Sequence, residues 1–517
     1  MVTGARRRKL SSAERINSQA ACPGKQPGRK EEELSKVSVH TPFPAEEVAQ
    51  WDMETDIAIV GFGAAGACAA IEAAAAGAQV TLFERASGSG GASALSGGEI
   101  YIGGGTDAQR AAGFDDTVEH FAAYLKAAGG SCADEAKCDL YAREALAHYD
   151  WLKAQGIPYR GNYLPGKHIE PVDDSTLIWS GSEAAWPFCD VAAPAPRGHV
   201  IAHTGWGGGR PLVDILETRA REAGVDVVID ARAVALVQDR AGTVVGVVVR
   251  MANRNRFVRA RRGVVLCTGG FAFNEGMRRR YCPDTFKISS PIGDQDDGAG
   301  IEMGIGAGGD AIHMEQFFTT CPWTMPEPQA CGVFVNQAGQ RFINEDCYHG
   351  RVSRCAVDQL GDRVFLLLDI AHFDRPLELA GIDIAAAGET WDEVEAELGM
   401  APRTLSATMA FYNDHAREGR DPLFHKRPPM LTPLDKAPFV ALELNFETSY
   451  FSFFTLGGLR TSSDGEVLSR AGVPVPGLFA AGRCTSGLPA WGHGYSSGLS
   501  LADCTFFGRQ AGRKAAA

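Results

Sequence analysis

An α/β fold with a parallel sheet is predicted by three features of the 517-residue sequence. These are a strand–turn–helix–strand unit near the N-terminus, two later apolar strands that each run into glycine, and an intervening stretch of different composition. The first feature is DIAIVGFGAAGACAAIEAAAAGAQVTLFER, Asp56 to Arg85. An apolar strand enters a glycine turn, an alanine-rich helix follows, and a second strand ends in an acid. Gly61 allows the tight turn, Gly63 lets backbone approach a pyrophosphate at the helix N-terminus, and Gly66 lets the helix lie on its strand. Glu84 lies eighteen residues past Gly66, close to the roughly 20-residue spacing of the acid that hydrogen-bonds a ribose hydroxyl. This unit binds a dinucleotide and by itself leaves FAD and NAD open.

Three further stretches favour FAD. SGSGGASALSGGEIYIGGGT, Ser87 to Thr106, is too glycine-rich for an ordinary helix and too long for a simple turn, so backbone can lie against a flat ring. ARRGVVLCTGGF, Ala260 to Phe271, reads as a buried strand followed by Thr268, Gly269 and Gly270. PGLFAAGRCTSG, Pro476 to Gly487, has the same form, and GHGYSSGLSLAD follows it from Gly492 to Asp503. In these residues the chain resembles the FAD-dependent oxidoreductases that include fumarate reductase flavoproteins and 3-ketosteroid dehydrogenases, and the resemblance runs from Trp51 onward. It implies a glutathione reductase-like FAD-binding domain, Rossmann-like with an inserted β-meander, plus an α+β catalytic cap domain.

The resemblance also implies which residues hold the flavin. They are Gly61, Gly63, Ala65 and Gly66 in the first turn, Glu84 and Arg85 at the ribose, and Gly91, Ala92, Ser93, Ser96, Gly97 and Gly98 in the glycine-rich loop. Thr268 and Gly269 follow the middle strand, Gly482 and Arg483 the last one, and Gly498, Leu499, Ser500 and Leu501 open the final helix. Val234 is the implied adenine contact, against its plain reading as a strand valine. Asp297 serves either packing or a ribityl contact, and Arg483 either neutralises flavin phosphate or caps a helix. Covalent members of the wider family carry a histidine in the loop after the ribose acid. Ser87 to Thr106 contains none, so FAD is expected to be non-covalent.

Size and composition agree with two domains. A net charge of −13 argues against nucleic acid as a partner. Thirteen scattered cysteines without a CxxC pair read as reduced intracellular thiols, with neither a disulfide framework nor a metal site. Cys484 and Cys504 fit buried structural thiols. No apolar run reaches about 18 residues, so no membrane span is expected and a cytoplasmic location follows. Residues 1–50 begin polar and locally basic, and predict a disordered tail. Phe114 to Gly156 has the spacing of two packed helices, and Val225 to Val258 alternates as a meander. CGVFVNQAGQRFINEDCYHGR, Cys331 to Arg351, reads as two strands around a turn at Gln337 to Gly339. The expected order is thus a flavin domain over 51–309, a cap over 310–436 and the rest of the flavin domain over 437–517, with the active site in the cleft between them.

The chemistry is argued from the last loop. Fumarate reductases bind a dicarboxylate and protonate it through arginine, with an Asn-Arg pair beside the flavin. Here Tyr495-Ser496-Ser497 occupies that place, and hydroxyls suit a neutral ketone better than a dianion. TLGGLRTSSDGEVL, PGLFAAGRCTSG and GYSSGLSL are most similar to the 3-ketosteroid dehydrogenases of the Δ4-(5α) rather than the Δ1 type. LPAWGHGYSSG departs from that pattern through the bulk of Trp491 and His493. The implied reaction removes two hydrogens from the carbons α and β to a carbonyl (an EC 1.3 oxidoreductase). Tyr495 is the candidate donor to the ketone. Tyr348 is the candidate on the proton-accepting side, which requires a depressed pKa or a relay, and Ser497 is the relay or immediate contact. His349 and His493 are rival acid–base groups. A steroid-like ketone is the expected substrate, and an electron acceptor of unspecified identity reoxidises the flavin. A fumarate-reductase-like enoate or enone reductase and a non-catalytic flavin redox sensor are the alternatives.

Overall fold

The computed structural model describes residues 37–171, 173–293, 295–320, 327–374 and 381–517. Strand β1 (Met53–Val60) leads through the glycine turn into helix α1 (Ala64–Ala75) and strand β2 (Val80–Phe83), the unit predicted from the glycine spacing. The meander follows as β3 (Ala231–Gln238), β4 (Val244–Met251) and β5 (Arg254–Leu266), antiparallel in sequence. β5 is one 13-residue strand where the sequence suggested two. Its first half pairs with β4, and Val264 to Leu266 turn instead to a parallel partner, Leu478 to Ala480. The other edge of β5 lies parallel to β1, and β1 to β2. A single nine-stranded sheet results, with the meander fused to it.

Later in the chain come β6 (Phe317–Thr320), α2 (His349–Val357), β7 (Arg363–Asp369), β8 (Phe439–Asn445), β9 (Ser452–Thr455), β10 (Pro474–Ala480), which belongs to this same sheet, and α3 (Leu499–Ala516). β7 and β8 pair antiparallel at the centre of a four-stranded sheet with Val333–Val335 and Asp383–Gly388 at its edges. The boundary expected at 436 therefore cuts through this sheet, because β8 completes it and the return to the flavin-side sheet comes later, at β10. The predicted hairpin over 331–351 is reduced to one bridge, Val335 to Arg341. Arg341 is drawn away from a ladder into buried ion pairs with Glu345 at 2.7 Å and Asp421 at 2.8 Å.

The alanine-rich face of α1 is explained by α3. Gly512 of α3 comes so near that a Cβ there would lie 2.2 Å from the Ala69 carbonyl oxygen, and Arg509 ties the two helices through Glu72 at 2.9 Å. Small residues let the two backbones touch and bury apolar surface without cavities. Both helices belong to one core with the helices Val118–Gly129 and Glu135–Ala154, the pair expected between Phe114 and Gly156.

The first 36 residues of the expected tail lie outside the described residues. Its last part is built into the sheet: Phe43–Pro44 pairs parallel with Val237–Gln238, and Phe43 is buried against Val234 and Val248. Phe43, with Val37, Ala45 and Val48 packed beside it, docks at an open strand edge a segment that polar composition marked as free.

Candidate active site

Two adjoining cavities lie where the strands of the main sheet end. The first is a groove floored by Gly61, Gly63 and Ala65, with Glu84 and Arg85 at the end of β2 and Gly91 to Ser93 above. Thr268, Gly269, Asp297, Gly482 and Arg483 close its far side. Gly61 has φ +103° and lies so close to β5 that a Cβ would meet the Cys267 carbonyl oxygen at 2.3 Å. Only glycine satisfies both conditions. Glu84 accepts the Phe62 amide at 2.7 Å and the Ala86 amide at 2.8 Å, which fixes its carboxylate at the groove wall. Asp297 bridges Arg85 and Arg232, each at 2.9 Å. Arg483 pairs with Asp296 at 2.6 Å, while its Nη1 is buried with no acceptor. A bare glycine cradle, a fixed acid and an unmet buried donor fit a dinucleotide bearing phosphate and a heteroaromatic ring.

Four of the expected flavin contacts line neither this groove nor the cavity beside it. Val234 points its side chain into the cluster with Phe43, while Ala231, Arg232 and Ala233 line the groove, since neighbouring strand residues face opposite ways. Gly66 packs on Gly61, Gly98 on Gly208, and Leu499 is buried in the core under α3. These positions shape the wall from behind. The sequence reading missed Asp296, Arg232 and Ala233, of which only Asp296 had a signal, as the neighbour of Asp297.

The second cavity, of about 250 Å³, continues from the first through Ala92, Ser93 and Arg483. It brings together Tyr348, Tyr495 and Ser497, with Ser96, Gly97, Gly498, Ser500 and Leu501 beside them. Tyr348 stands at the N-terminus of α2, where its amide donates to Ser182 Oγ at 3.2 Å. Tyr495 follows the short turn Gly492–Gly494, and its hydroxyl donates to Ser500 Oγ at 3.1 Å. Ser497 is clamped in place, its amide donating to the Ser180 carbonyl at 2.8 Å. One wall is made by Phe318 and Phe454, cross-strand partners on β6 and β9 whose rings pack together, with the Phe318 ring centroid 4.3 Å from that of Tyr495. Neither phenylalanine was foreseen, because strands of four residues carry too little pattern to locate.

Burial governs the electrostatics of this cavity. It raises Tyr348 well above the ordinary phenol value, with the nearby Tyr495 and Glu99 adding to the rise and a hydrogen bond to Ser497 opposing it. Burial also pushes Tyr495 up to about 12. Tyr348 is thus not the standing phenolate that a lone base requires. Of the rival histidines, His349 lines the cavity but is pushed down to about 3 by burial, so it is neutral. His493 pairs with Asp358 at 2.5 Å and does not line the cavity. Glu99, overlooked inside the glycine-rich stretch, is buried in the wall, and burial drives its pKa up to about 8.

A mixed sheet with a parallel centre and a dinucleotide groove opening onto a tyrosine-lined cavity defines a flavoprotein oxidoreductase. The model of the family described as FAD binding domain matches residues 56–499, and the chain belongs to that family of FAD-dependent oxidoreductases. The crystal structure of 3-ketosteroid-Δ4-(5α)-dehydrogenase from Rhodococcus jostii RHA1, in complex with 4-androstene-3,17-dione, is similar with a TM-score of 0.86. It shares 41% identity over 92% of this chain and 100% of that one. The 3-oxo-5-alpha-steroid 4-dehydrogenase of Comamonas testosteroni is 28% identical over 85% of this chain and 94% of its own. The open conformation of a flavocytochrome c3 fumarate reductase is 26% identical with a TM-score of 0.64, over 96% of this chain and 83% of that one. No helix among the described residues is long and apolar enough to cross a membrane.

Proposed function

We propose that the protein desaturates the carbons α and β to the ketone of a 3-ketosteroid, with Δ4-(5α) rather than Δ1 regiochemistry. The observation that carries this reading is the convergence of Tyr348, Tyr495 and Ser497 on one cavity beside the dinucleotide groove. Among its described lining residues the one permanent cation is Arg483, already paired with Asp296. A dicarboxylate would find little to neutralise it, whereas a flat apolar ketone can lie against the apolar face that the packed rings of Phe318 and Phe454 present. A third cavity shares Ile169, Tyr348 and His349 with it as wall and gives room for the remote rings.

The FAD of this family, when bound, supplies the acceptor for the β hydride. The protein's part is the ketone and the proton. Tyr495 stays protonated at neutral pH and donates to the ketone oxygen, where negative charge grows as the α C–H bond breaks. Tyr348 takes up the α proton while releasing its own, and Ser497 is the hydroxyl it hands to. Anaerobic mixing with a 5α-reduced 3-ketosteroid is expected to bleach the oxidised flavin. No bleaching by any 3-ketosteroid, with rapid reoxidation of photoreduced protein by fumarate or another enoate, overturns this reading in favour of a reductase.

A further inference from the structure

Glu99 is the buried carboxyl that the mechanism so far leaves unused. It opens the strand Glu99–Tyr101, which pairs with Gly198–Val200, and it is 4% exposed. Its side chain lines the cavity with Tyr348, Tyr495 and Ser497. Its Oε1 has no hydrogen-bond partner, and no ion pair to it occurs among the described residues. Two glycines hold it by shape: a Cβ at Gly198 would lie 2.2 Å from Oε1, and one at Gly498 3.1 Å from Cγ. Purely structural buried carboxylates are paired or fully hydrogen-bonded, because an unmet charge is costly. A carboxyl kept without a counter-ion, inside a cavity of phenols, is arranged to change protonation state.

We propose that Glu99 is the proton store of this site, receiving through Tyr348 and Ser497 the proton removed from the carbon next to the ketone; the inference rests on the dehydrogenase reading above. Every group facing Glu99 agrees with this role. The Ser180 and Ser497 hydroxyls favour its charged form, and the Glu183 and Glu170 carboxylates oppose it. Tyr348 and Tyr495 are each raised in part by the Glu99 charge, so carboxyl and phenols are electrostatically linked. In the transfer the α C–H bond breaks and its proton goes to the Tyr348 oxygen. The Tyr348 proton passes to Ser497 Oγ, and the Ser497 proton to the Glu99 carboxylate. The C–H electron pair moves into the enolate held by Tyr495, leaving Glu99 neutral. Glu99 does not touch the substrate, so it acts by keeping the Tyr348–Ser497 pair able to accept.

The test is exchange at the α carbon, which needs no hydride transfer. FAD-bound protein is kept reduced under argon in D2O with a 5α-reduced 3-ketosteroid, and deuterium uptake is followed by NMR. Wild-type protein is expected to exchange, faster with rising pH and levelling above about 8. Glu99→Gln should slow exchange by roughly 100-fold and lose the rise, while retaining FAD and still perturbing the flavin spectrum when ketone binds. Glu99→Asp should restore part of both. Wild-type rate and pH profile in Glu99→Gln overturns the proposal, and if Tyr348→Phe is inactive in the same assay the dehydrogenase reading survives it. A wild-type protein that binds the ketone yet takes up no deuterium removes both. Should Glu99→Gln lose its FAD, Glu99→Asp decides: a slowed rate with a displaced alkaline rise supports the store, and an unchanged profile overturns it.

Discussion

The groove and the cavity beside it solve opposite problems. In the groove the acids are tied up within the protein: Glu84 holds two amides and Asp297 holds two arginines, while the buried Arg483 Nη1 is left for a ligand. In the cavity they are not: Glu99 Oε1 is unpartnered, and burial moves Tyr348, Tyr495 and Glu99 upward and His349 downward, each toward its neutral form. The groove is a cradle for a ligand that stays, so its acids are fixed in advance. The cavity holds groups whose proton affinities are set by low dielectric, which is what a site that moves protons requires.

Substitutions on the two sides should therefore fail differently. The largest effect is expected in the cavity. Tyr495→Phe should keep FAD and slow flavin reduction by a ketone about 100- to 1,000-fold, since one oxyanion donor is worth about 2.7–4 kcal/mol. Rapid-mixing absorbance checks this, and a near wild-type rate would move the donor role elsewhere. In the groove, Glu84→Ala should weaken FAD by about 1.5–3 kcal/mol, the worth of a charged hydrogen bond, with little change in reduction once flavin is saturating. Titration of flavin-stripped protein measures it, and unchanged affinity would assign the ribose to another group.

A third effect concerns stability and its sign. The Glu99 carboxyl titrates near 8 in the folded protein and near its ordinary 4.5 in the unfolded chain, so the folded state binds its proton more tightly. Its contribution is fully present below the lower value and is lost as pH rises through the higher one. Relative to Glu99→Gln, wild-type stability should fall by about 1.4 kcal/mol per pH unit between those limits. Denaturant titrations at several pH values provide the comparison, and parallel curves would place Glu99 in a wetter setting than its burial indicates.

The part legible in the sequence is the part set by contacts along a few turns of chain. The Gly61–Gly66 turn, the acid at Glu84, the glycine-rich loop and the Tyr495–Ser497 run each specify a shape through the residues themselves. Tyr348, Tyr495 and Ser497, drawn from the resemblance, meet in one cavity. Tertiary structure alone decided the rest. It set which way Val234 faces, that β8 completes the second sheet, that Phe43 docks on an open edge, and that Phe318 stands opposite Phe454. It also buried the acid inside SALSGGEIYIGGGT with its Oε1 unpartnered, and raised the Tyr348 phenol above its ordinary value. The physical reason is that shape follows from neighbours along the chain, whereas burial, and with it the affinity for a proton, is set by segments hundreds of residues apart closing on the same few atoms.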